Sequence, residues 1–132
     1  MLIINNIGIF KGATNMLEKE YQIYELADGS KHLNVIFDDE KYDLLTIFLV
    51  VEVNSFRKWI KESFDKVISG KVQYEEFGGN ICYTEITPDI TTIYNSLSDD
   101  DEQCEVNTLE LRQLIDEWCE KVDEFKRTQR LS

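Results

Sequence analysis

The sequence predicts an α+β fold: an antiparallel-rich sheet of about six or seven strands with two amphipathic helices, in the order strands, helix, strands, helix. Three observations carry this. Apolar residues recur at three- and four-residue spacing across Phe56 to Ile68 and again across Leu111 to Phe125. Much of the remaining apolar content falls in short β-branched or alternating runs. Six glycines and one proline leave little room for long linkers, so residues 1–132 are expected to form one α+β domain.

Leu2 to Phe10 is rich in isoleucine and reads as a first strand, with Gly8 as its weak point. Tyr21 to Leu26 and His32 to Phe37 flank the turn Ala27-Asp28-Gly29-Ser30 and form a hairpin. Asp38 to Lys41 is a charged loop. Leu44 to Val51 is apolar on both faces and dense in β-branched residues, which predicts a central strand covered on both sides.

Asn54 or Ser55 can cap the first helix. Phe56, Trp59, Ile60, Phe64, Val67 and Ile68 form its buried stripe, and Gly70 stops it. Val72 to Phe77 and Ile81 to Ile86 flank Gly78-Gly79, where a type I′ turn needs positive φ at both central positions. Ile90 to Asn95 follows Pro88 as a further strand, and Ser98 to Glu102 is a loop. Asn107 caps the second helix with Glu110 three residues on, and Leu111, Leu114, Ile115, Trp118, Cys119, Val122 and Phe125 are its core stripe. Cations at Lys126 and Arg127 suit its C-terminal end.

No catalytic constellation accompanies this pattern. The single histidine, His32, lies in a predicted strand, and no GxSxG, HExxH or Walker-type loop occurs. The chain therefore reads as a non-enzyme with no cofactor. Three scattered cysteines form no CxxC pair. Cys119 belongs to the core stripe, and Cys104 is expected to be exposed. Asp99 to Glu102 lacks the glycine and terminal glutamate of a calcium loop, so no metal is expected. With no export signal, no membrane-spanning run and an odd cysteine count, the expected location is the cytoplasm.

Charge is the feature that points to function. The chain carries a formal −12, and residues 96–124 hold eleven acids against Arg112 and Lys121. So concentrated a negative charge excludes nucleic acid as a partner and favours a basic protein. Helix acids opposite an apolar stripe can be simply solvated. The loop acids Asp99, Asp100, Asp101 and Glu102, with Glu105, have no such structural reason and are the expected partner-binding residues. Tyr74, Glu75, Glu76, Tyr83 and Glu85 join them, because they mix rings and carboxylates on one hairpin.

Three segments resemble small bacterial immunity proteins of contact-dependent or polymorphic toxin systems. They are the helix Phe56-Arg57-Lys58-Trp59-Ile60, the hairpin turning at Gly78-Gly79-Asn80, and the closing helix from Leu109 to Trp118. The resemblance implies a non-catalytic protein that binds and blocks one cognate toxin, such as a nuclease with a basic cleft; the chain itself is expected to be a monomer or homodimer. The competing expectation is a structural or adaptor protein that self-assembles, the basic face of the first helix meeting the acidic face of the second between subunits.

Overall fold

A computed structural model describes residues 3–11 and 17–131. Strands β1 (Ile3–Lys11), β2 (Lys19–Leu26) and β3 (Lys31–Phe37) make an antiparallel sheet in the order β1-β2-β3. Gly29, at a φ of 87°, supplies the left-handed position of the β2–β3 turn, and the Asp28 carboxylate accepts the Ser30 amide at 2.9 Å.

The predicted central strand at Leu44–Val51 is instead helical. A 3₁₀ turn (Glu40–Tyr42) leads into helix α1 (Asp43–Ile47), a π-helical stretch (Phe48–Val53) and helix α2 (Asn54–Ile68). Asp39 starts the run by accepting the Lys41 amide at 3.0 Å. The reason lies in the spacing: Leu44 and Leu45, Phe48 and Leu49, Glu52 and Val53 are buried in pairs four residues apart. That repeat keeps one face of a slightly underwound helix inward. The β-branched Thr46, Ile47, Val50 and Val51 that suggested a strand occupy its half-buried side. Packing overrides their propensity.

The second sheet has the order β4-β5-β6-β7, from β4 (Glu75–Gly78), β5 (Cys82–Ile86), β6 (Ile90–Asn95) and β7 (Gln103–Asn107). The strands are thus divided between two sheets rather than joined in one. β7 follows directly on the predicted loop, in a stretch where the sequence suggested no strand, with Cys104 and Val106 facing the core. Helix α3 (Thr108–Leu131) follows directly. Its predicted stripe is buried from Leu111 to Val122 and half-buried at Phe125, and the Glu110 amide donates to Asn107 Oδ1 at 3.0 Å. One hydrophobic cluster draws side chains from both sheets and from the helices between and beside them. Among the described residues, no helix is long and apolar enough to cross a membrane.

The turn at Gly78-Gly79 is not type I′, because neither glycine has a positive φ. Gly79 is needed for space: a Cβ there would overlap the carboxylate of Glu52. That carboxylate is completely buried and accepts the amides of Asn80, Ile81 and Cys82 at 2.8, 2.7 and 2.6 Å. A buried charge taking three amide donors is well compensated, and the π-helical stretch is thereby tied to the β4–β5 turn.

Candidate partner-binding face

Strand alternation sorts the second sheet into two faces. Phe77, Cys82, Thr84, Ile86, Thr91, Ile93, Cys104 and Val106 are buried against the helices. The other face is open. Register places Glu76 opposite Glu85, Glu85 opposite Thr92, and Thr92 opposite Glu105, in one row across all four strands. The next row is Gly78, Tyr83, Tyr94 and Gln103.

Like charges directly opposite each other repel, so Glu76 beside Glu85 is unfavourable without compensation. Tyrosine hydroxyls supply part of it. Tyr74, 44% exposed just ahead of β4, reaches both Glu76 Oε2 and Glu85 Oε2 at 2.9 Å, and Tyr83 donates to Glu76. These bonds, from Tyr83 first and Tyr74 second, hold the Glu76 carboxyl below its ordinary range. The Tyr83 hydroxyl is pushed up by Glu76, and that of Tyr94 by Glu85. The result is two carboxylates side by side in a ring of phenols, hydrogen-bonded in place and open to solvent. Such a surface suits a guanidinium or ammonium group.

The acidic loop adjoins this face. Asn95 binds Glu102 through its backbone amide (3.0 Å, to the carbonyl) and its side chain (2.9 Å, to the carboxylate). The Ser96 amide donates to the Ile81 carbonyl at 2.8 Å, which sets the β6–β7 loop beside the β4–β5 turn. Asp99, Asp100, Asp101 and Glu102 are all exposed. Of the residues expected to bind a partner, Tyr74, Glu76, Tyr83, Glu85 and Glu105 share the open face, and the four loop acids border it. Glu75 does not belong with them: it is on the opposite side of β4, 3.7 Å from Lys66 Nζ. Tyr94 was missed, although its alternation with Thr92 along β6 places it in the tyrosine row.

The helix acids are employed differently. Asp123 takes both terminal nitrogens of Arg57 at 3.0 and 3.1 Å. Asp116 is held by Arg112 at 2.7 Å and by Lys61 at 3.1 Å, and Arg112 also reaches Asp65 at 2.8 Å. Glu117 lies 3.4 Å from the buried Lys19. Arg57 and Lys61 of α2 therefore meet Asp123 and Asp116 of α3 within one chain.

The aromatic and cysteine expectations need two corrections. Trp59, expected in the core, is 59% exposed, because α2 turns Ile60, Ser63, Phe64 and Val67 inward instead. Cys104, expected at the surface, is buried on the inner face of β7, and burial, helped by Glu105, pushes its thiol up to about 11. Burial likewise raises the Cys82 thiol to about 12, with Glu52 and Glu102 adding to it.

The chain is 41% identical to a Bacillus cereus protein named immunity protein, over 90 residues that make up 67% of this chain and 77% of the relative. No protein-family model matches the chain. No solved structure matches it.

Proposed function

Because the chain belongs to the family of bacterial immunity proteins, we propose that it binds and neutralises a cognate toxin through the acidic tyrosine face of its second sheet and the adjoining loop. The observation that carries this is the register pair Glu76–Glu85, two carboxylates held side by side under the hydroxyl of Tyr74 on an open face. Repulsion between them is relieved most fully by a cation from outside. A basic nuclease whose cleft carries lysine and arginine would supply it. Asp99, Asp100, Asp101 and Glu102 extend the same field, with Glu105 at the far end of the carboxylate row. Inhibition needs no chemistry from the inhibitor: filling the cleft excludes substrate. Action in the cytoplasm, where such a toxin would meet nucleic acid, belongs to this reading. Self-assembly through these helix faces is the less favoured reading, because Arg57 and Lys61 of α2 already pair with Asp123 and Asp116 of α3 within the chain.

The test pairs this chain with the C-terminal domain of the protein encoded in the adjacent reading frame. That domain alone should arrest growth and degrade nucleic acid; an equimolar amount of this chain should restore growth and stop the degradation. Failure to restore growth or to form a complex would count against the reading. Replacing Glu76 and Glu85 together by lysine should abolish protection.

A further inference from the structure

We propose that Trp59 is the apolar anchor of the toxin interface, gripping the partner around β4, the edge strand of the second sheet. The inference rests on the toxin-binding reading above and adds a contact that charge alone does not identify. The indole is the large side chain that leaves the α2 stripe, at 59% exposure, while Ile60 and Phe64 beside it are buried. It is nevertheless held in place. Phe56 meets it edge-on at 6.2 Å and 89°, and Phe77 at 5.1 Å and 90°. A preset ring gives up little side-chain freedom when covered, and tryptophan is among the residues most enriched at the energetic centre of interfaces.

The backbone accounts for its direction. The π-helical stretch at Phe48–Val53 and the non-helical Phe56, at φ −130° and ψ 35°, change the helical register just before Trp59. Glu52 is thereby turned inward to the β4–β5 turn, while Trp59 comes to rest outside against β4.

Continuity and charge identify the occupant. Phe77 sits in β4 between Glu76 and Gly78, and β4 is an edge strand. Trp59 therefore lies on one side of that edge, with Tyr74 and Glu76 on the other. A toxin segment that brings a cation to Glu76 and Glu85 needs only to pass around one strand to cover the indole. Lys58 and Glu62, paired at 4.0 Å, give the patch a polar rim. The occupant is a basic segment of the toxin that also carries an apolar side chain.

The probe is the purified toxin domain, titrated with wild type, Trp59→Ala, Trp59→Phe and the Glu76→Lys/Glu85→Lys pair. Trp118 is fully buried, so in the free protein iodide quenching reads Trp59. Subtracting the Trp59→Phe signal isolates that indole in the complex. Trp59→Ala should weaken binding by roughly tenfold or more, the range of an interface hot spot. Iodide should lose access to Trp59 on complex formation. Binding within about twofold of wild type, with iodide access unchanged, would overturn the anchor. If the glutamate pair still weakens binding in that case, the acidic-face reading stands without it. If neither substitution matters, both fall.

Discussion

At the scale of single residues, Glu52 and Gly79 form a matched pair. The carboxylate receives three successive amides of the β4–β5 turn, and the glycine leaves room for it. Glu52→Gln sets a donor against donors and should cost on the order of 2–4 kcal/mol. Gly79→Ala should cost on the order of 1–3 kcal/mol, because the carboxylate can move aside only by giving up those bonds. In a Glu52→Ala background the same glycine substitution should cost much less. A double-mutant cycle by urea unfolding measures the coupling, and simple additivity would show that the glycine serves another purpose. None of this was legible in the sequence. Glu52 reads only as a polar interruption of the apolar stretch from Leu44 to Val53, and Gly78-Gly79 satisfied a turn rule for a reason unrelated to its actual one.

Among elements, what could be read depended on how many surfaces each one touches. Helix α3 has one buried stripe and one solvated face, so its period and its Asn107 cap were readable directly. The segment from Leu44 to Val53 is covered on several sides. Its apolar residues therefore run continuously, and composition alone favours a strand. The mixture of rings and carboxylates on one hairpin grouped Tyr74, Glu75, Glu76, Tyr83 and Glu85; strand parity, which that composition ignores, puts Glu75 on the other face. The complementary helix faces were legible, but not that they meet within the chain, because their ion pairs join residues up to 66 positions apart.

These pairs make stability depend on pH. Asp123 is held below its ordinary 3.8 by Arg57. Asp116 is raised by burial but lowered further by Arg112 and Lys61, so it too ends below 3.8. A carboxyl lowered on folding contributes its full stability above the unfolded value and loses it as pH falls through the lower, folded value. Acid unfolding should therefore steepen below pH 3.8. Replacing Arg57 and Arg112 by glutamine should flatten that limb in a stability–pH profile, at a cost near neutrality of roughly 1 kcal/mol per arginine, since the partners are half exposed and screened.

Across the whole molecule, the net charge is −12, and its acids sit in unlike settings. Acids of α3 such as Asp116 and Asp123 are tied to α2, and their fields are locally cancelled. Glu76, Glu85, Glu105 and the loop acids Asp99, Asp100, Asp101 and Glu102 face outward together on the second sheet and its loop, so a negative field projects from that side. A directional field of this kind speeds encounter with a basic partner and is screened beyond about 10 Å at 0.1 M salt. The rate of association with the toxin domain should fall at least severalfold from about 0.05 to 0.5 M sodium chloride, while dissociation changes far less. The two acidic groups should separate kinetically. Reversing Asp99, Asp100, Asp101 and Glu102 at the exposed loop should mainly slow association. Reversing Glu76 and Glu85, which a bound partner would desolvate, should mainly hasten dissociation. Stopped-flow mixing of each variant across the salt series makes the comparison. An association rate indifferent to both salt and the loop reversal would mean that the loop charge serves solubility and that recognition resides in the tyrosine–glutamate face alone.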